Sequence, residues 1–81
     1  MAIYNQTGHT VVVTDLAPRQ TPWDISIEPH RFKEIGFEGC QDWHREVRYV
    51  EGPLIGTIEQ EICAGENQIF VSRVGVRVDH Y

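Results

Sequence analysis

The stretch from Cys40 to Cys63 constrains this chain more than any other, because it reads as one long β-hairpin with a cysteine at each end. With the turn at Glu51-Gly52, Tyr49 faces Leu54, Val47 faces Gly56, Arg45 faces Ile58, Trp43 faces Gln60 and Gln41 faces Ile62. Successive side chains of a strand point to opposite faces, so Trp43, Val47, Tyr49, Leu54, Ile58 and Ile62 share one face. Asp42, His44, Glu46, Arg48, Thr57, Glu59 and Glu61 share the other, where Ile55 is the large apolar exception. A slip by a single residue would turn one strand's apolar set outward. Registers two residues away keep the faces and stay open. Pro53 conflicts with a two-residue turn because it has no N–H to donate. A four-residue loop from Val50 to Pro53 keeps the same pairing and removes the conflict.

In this register Cys40 falls opposite Cys63. A hydrogen-bonded pair would hold the Cα atoms about 5.5 Å apart, inside the disulfide range. Such a bond would stabilise the fold by roughly 3 kcal/mol in the chain-entropy model. A Cys40–Cys63 disulfide is therefore expected, with two reduced thiols as the alternative. The staple matters because 81 residues make a single domain, residues 1–81, with a small core. Two cysteines do not make a disulfide-rich framework, and they lack zinc-site spacing.

The net charge is −5, and the seven basic residues are spread along the chain. A nucleic-acid binder clusters its basic residues on one face, so a nucleic-acid partner is not expected. No segment is apolar for long enough to span a membrane as a helix, so no membrane partner is expected either. Met1-Ala2-Ile3-Tyr4 enters a strand-like segment without a basic region or long apolar run, so no signal peptide is read there. The compartment stays unassigned. A Cys40–Cys63 disulfide would tilt it toward the outside of the cytoplasm.

Taken in order, Ile3-Tyr4 and the run Val11-Val12-Val13 are β-forming, and the valine run is apolar on both parities. Ala17 to Pro22 is a loop, broken by two prolines. Trp23, Ile25 and Ile27 alternate inward, Glu28 to Arg31 turns, and Phe32 to Phe37 forms a short strand with Ile35 and Phe37 inward. Those two strands look like a hairpin. After Cys63, Ala64 to Asn67 turns and Gln68 to Val71 is a strand. Val74, Val76 and Val78 then alternate, and Gly75 suggests a bulge or bend where the strand changes direction. No segment has sustained helical periodicity. The pattern predicts an all-β domain, a small antiparallel β-sandwich of about seven strands.

Ile3-Tyr4-Asn5-Gln6-Thr7-Gly8 followed by Val11-Val12-Val13 resembles the start of small β-sandwiches of the von Hippel–Lindau β-domain type. Ile27-Glu28-Pro29, Lys33-Glu34-Ile35, Trp43 and Val47-Arg48 before Gly52 follow the same order of features. The resemblance implies a sandwich fold over most of the chain. That family's peptide-binding residues have no clear match here, and none is carried over.

Candidate sites are few. His44 sits opposite Glu59 and Asp42 opposite Glu61, which offers His44, Glu59 and Glu61 as metal ligands on a two-stranded surface. The plainer reading is a solvated sheet face. His9, His30 and His80 lie in expected loops or at the terminus and would need to converge to hold a metal. Cys40 and His44 are about 13 Å apart along a strand, too far for proton transfer. Asn5-Gln6-Thr7 matches the N-glycosylation acceptor pattern. Arg45 interrupts the apolar face, as a rim residue with its guanidinium over Trp43 or as an interface anchor. No catalytic residue is assigned, since no G-x-S-x-G, P-loop or H-E-x-x-H pattern occurs.

The functional expectation is a non-catalytic protein-interaction or accessory module without a cofactor, binding another protein or a second copy of itself through a sheet edge or loop end. The alternative is a metal- or small-ligand-binding domain built on surface histidine and carboxylates. A third is an acidic inhibitor of a basic surface, which needs its acids clustered on one face.

Overall fold

The computed structural model describes residues 1–16, 24–63, 65 and 67–80. Among them are eight strands and no helix: β1 (Ala2–Asn5), β2 (Val11–Asp15), β3 (Asp24–Ile27), β4 (Phe32–Glu34), β5 (Cys40–Tyr49), β6 (Leu54–Cys63), β7 (Asn67–Ser72) and β8 (Gly75–His80). They form two four-stranded sheets, ordered β4-β1-β7-β8 and β3-β2-β5-β6. The fold is thus all-β, with eight strands among the described residues in place of about seven.

Apolar side chains from the two inner faces make one core. Ile3, Ile69 and Val71 come from the first sheet, and Val11, Val13, Ile27, Trp43, Val47, Ile58 and Ile62 from the second. Burial alternates cleanly along β2, where Val11, Val13 and Asp15 are buried and Val12 and Thr14 are half-buried. A valine run apolar on both parities suits a strand covered on both sides, but only the Val11 and Val13 face meets the core. Val12 is half-buried on the outer face, between Ser26 and Arg48.

Two features depart from a purely antiparallel meander. β1 runs parallel to β7, pairing Ile3 with Ile69 and Tyr4 with Phe70. The expected hairpin across Glu28 to Arg31 does not exist either, because β3 pairs with β2 in one sheet while β4 pairs with β1 in the other. The chain crosses between sheets there, and His30 turns it with a positive φ of 58°. Short-range alternation shows which residues point inward but does not say which sheet receives a strand. Trp23 lies outside the described residues.

The long hairpin has the expected register from Cys40↔Cys63 to Val47↔Gly56. Between Val47 and Arg48 the register shifts, and Arg48 pairs with Leu54. Ile55 is the extra residue of this bulge. The bulge resolves the apolar exception on the polar face: Ile55 packs against the core, while Leu54 is 52% exposed. Tyr49 does not face Leu54; its N–H donates to the Pro53 carbonyl at 3.2 Å.

Cys40 and Cys63 are joined by a disulfide. Their Cα atoms are 4.0 Å apart, shorter than the expected about 5.5 Å and nearer the about 4.5 Å of a pair that exchanges no backbone hydrogen bonds. Gly56 sits where β6 meets the opposite sheet: a Cβ there would lie 3.1 Å from Val76 Cγ2. Gly75 marks a reversal sharper than a bend. Ser72 pairs with Gly75 across a tight turn, and the glycine φ of 146° suits no other residue. The turn carries Val74 out of the apolar row to its tip, where it is 90% exposed.

Candidate functional site

One end of the sandwich gathers the segment between β1 and β2, the β5–β6 turn and the β7–β8 turn. Asn5 organises it. The residue is 2% exposed, and its two Nδ2 hydrogens are shared among the carbonyls of His9 at 2.8 Å, Ile27 at 2.9 Å and Glu28 at 3.1 Å. Its Oδ1 accepts the Thr7 N–H at 2.9 Å, an Asx turn that leads the chain out of β1. The Thr7 hydroxyl lies 2.7 Å from Asn5 Oδ1 and 2.8 Å from the His9 carbonyl, so its one hydrogen has two acceptors. The Asn5-Gln6-Thr7 motif is therefore a knot between the two sheets, and its asparagine nitrogen is already engaged. The acceptor pattern for N-glycosylation coincides with an asparagine that a glycan cannot reach in the folded chain.

This turn sets the His9 ring edge-on against Tyr49, with centroids 5.8 Å apart and planes at 88°. The Val50 N–H donates to the Thr10 carbonyl at 3.2 Å and ties the β5–β6 turn to the same loop. His9 and Tyr49 stand between two open clefts. One, of about 680 Å³, is lined by His9, Thr10, Tyr49, Val50, Glu51 and Gly52. The other, of about 550 Å³, runs from Gln6 and Thr7 to Ser72, Arg73 and Val74. Val50 is 51% exposed on one side and Val74 is more exposed still on the other. Together the clefts offer two apolar rims, an aromatic partition, and the opposite charges of Glu51 and Arg73. Such an arrangement suits non-covalent capture of a partly apolar partner.

Comparison with family models, curated proteins and solved structures yields no match to this chain.

The residues singled out from sequence are distributed as follows. His44 Nδ1 is 3.7 Å from Glu59 Oε1, with both side chains more than half exposed. Asp42 pairs across from Glu61 on that face. Glu61 Oε1 approaches Cys63 Sγ at 3.9 Å, so its carboxylate turns toward the disulfide. His9 lies at the loop end, whereas the His80 backbone pairs with Asn67 at the far end of β8, so His80 does not join His9. His80 is the last residue of β8.

Arg45 is neither a rim residue nor an interface anchor. It is 1% exposed, stacked over Trp43 at 4.5 Å and paired with Asp15 at 3.1 Å. The stacking follows from the sequence. The burial does not, because the ion that makes it tolerable comes from β2, thirty residues away.

A second surface feature crosses the outer face of the first sheet. Phe32, Tyr4, Phe70 and Arg77 occupy one register row over all four strands. Tyr4 stacks with Phe70 at 5.1 Å and 13° and meets Phe32 at 5.4 Å, while the Arg77 guanidinium lies 4.8 Å from the Phe70 ring. The Tyr4 and Phe70 rings lie face to face, at a centroid separation near the strand spacing, whereas Phe32 is tilted by 33° against Tyr4. The row binds strands together and presents ring edges to solvent.

Proposed function

We propose that this chain is a non-catalytic binding module that captures a protein partner at the loop end of the sandwich. The observation that carries the reading is the pair of clefts divided by His9 and Tyr49, with Val50 and Val74 exposed on either side. A partner inserting an apolar side chain beside Tyr49 would cover both valines, and Glu51 and Arg73 would orient it by charge. The net charge of −5 and the scattered basic residues argue against nucleic acid as that partner. The disulfide favours a place outside the cytoplasm. The likeness to von Hippel–Lindau-type β-domains belongs to this reading only as architecture and lends it no binding residues.

A photo-crosslinking amino acid placed at position 74 tests this, with position 57 on the outer face of the second sheet as the comparison. One partner trapped at 74 and absent at 57 supports the reading, provided that the purified partner binds and that Val74→Asp weakens it at least tenfold. Equal labelling at both positions overturns it. The cleft volume carries a second reading, since about 680 Å³ suits a small ligand. A fragment titration followed by NMR separates the two, because a small ligand shifts His9, Tyr49 and Glu51 without a protein partner.

A further inference from the structure

The end of the long hairpin holds a group that neither cysteine spacing nor the solvated-face reading anticipates. Among the described residues, β2 pairs with β5 as far as Arg45, the Leu16 N–H donates to the His44 carbonyl at 2.9 Å, and Cys40–Trp43 continue as a ribbon with Gln60–Cys63. Ligand atoms of Cys40, Glu61 and Cys63 all lie within 4.8 Å of one another, with Cys40 and Glu61 exposed and Cys63 half-buried. Asp42 faces Glu61 across the ribbon. Two like charges so placed repel unless a cation lies between them.

We propose that reduction of the Cys40–Cys63 disulfide converts this ribbon end into a site for a zinc-like divalent ion. A thiol or phosphine reductant supplies two electrons, the S–S bond breaks and two protons are taken up to give two thiols. The ion then binds both sulfurs as thiolates and releases those protons. The Glu61 carboxylate is the third ligand, and the fourth position takes Asp42 or water, an S₂O₂ set that suits a borderline-soft metal. Sulfurs bound tetrahedrally at about 2.3 Å stand about 3.8 Å apart, a spacing that Cα atoms 4.0 Å apart can reach. Buried Trp43 and Ile62 anchor the two strands from the opposite face and hold the ligands in place after the covalent link is gone. The oxidised protein has no thiolate to offer, so the site is gated by redox state. Zinc-finger spacing along the chain is unnecessary because β pairing places the two cysteines together.

Cobalt(II) is the probe. The protein is reduced, the reductant is removed under anaerobic conditions, and Co²⁺ is titrated while thiolate-to-cobalt charge-transfer absorption is recorded. Far-UV circular dichroism checks that the reduced chain stays folded. The expected result is absorption that saturates at one ion per chain, is displaced by Zn²⁺, and is absent from the oxidised protein. Cys40→Ser and Cys63→Ser should each abolish the dithiolate signal. Glu61→Gln, on an exposed side chain, should weaken affinity at least about tenfold, the loss that even outer-shell partners of a metal typically cause. Three results overturn the proposal: no charge-transfer band on the reduced chain, saturation at one ion per two chains, or an affinity unchanged by Glu61→Gln.

Discussion

Replacing Asp15 by alanine should cost more than any surface substitution in this protein. The Asp15 and Arg45 side chains are 0% and 1% exposed, with Oδ1 and a guanidinium nitrogen 3.1 Å apart. At an effective dielectric near 20, that separation corresponds to an attraction of about 5 kcal/mol. Desolvating two ions costs several kcal/mol each, so the pair as a whole contributes little net stability. Removing one partner leaves the cost without the attraction, a loss of about 3–5 kcal/mol. A domain of this size is worth only about 4–12 kcal/mol in total. With a urea slope of about 1 kcal/mol per molar, the midpoint of Asp15→Ala should fall by about 3 M or more. Urea melts followed by tryptophan fluorescence measure this directly, since Trp43 lies under the Arg45 guanidinium. The double variant Asp15→Leu with Arg45→Met should return to within about 1 kcal/mol of the parent, because it removes both charges and keeps the volume. A loss below about 1 kcal/mol for Asp15→Ala, or a double variant no more stable than the single one, would refute the reasoning.

Asn5→Ala should destabilise by about 3 kcal/mol or more, because it withdraws the donors from three carbonyls at once. Asn5→Asp should fare no better, since a carboxylate cannot donate, and chemical denaturation compares the two. Secretion through a glycosylating host should yield folded chain without a glycan at Asn5, checked by intact mass; a glycosylated protein with native spectra would contradict the buried knot. Cys40→Ala with Cys63→Ala opens a loop spanning a sequence separation of 23. The chain-entropy model gives a loss of about 3.4 kcal/mol for it, or a melting temperature lower by roughly 15–25 °C. A calorimetric shift of only a few degrees would count against that model here. Gly56→Ala forces a Cβ to 3.1 Å from Val76 Cγ2 and should cost about 1–3 kcal/mol. Val76→Ala in the same chain should recover part of it.

The hairpin from Cys40 to Cys63 was legible in the sequence because alternation has a period of two and a slip inverts it. Trp43, Val47, Ile58 and Ile62 therefore had one consistent face, and the cysteines followed as neighbours. Long-range placement was not legible. Nothing local says that β3 joins β2 while β4 joins β1, or that β1 lies parallel to β7. Asx-turn chemistry in Asn5-Gln6-Thr7 was the available signal for the loop-end knot, and the glycosylation pattern overlies the same residues. The His9–Tyr49 partition had no signal, since it depends on a loop and a hairpin turn meeting in space.

The sequence by itself determined what the long hairpin must hide: the parity of β5 and of β6 from Gly56 onward, along with the all-β class and a staple across the hairpin's open end. These are local consequences of side chains that alternate along an extended backbone. Tertiary structure decided which strands share a sheet, that Arg45 could be buried, that Ile55 and not Leu54 turns inward, and where Val50 and Val74 meet solvent together. Each depends on a partner distant in sequence or on a single bulge. Such contacts carry free energy only after the chain has brought remote segments together, so no periodicity in the sequence records them.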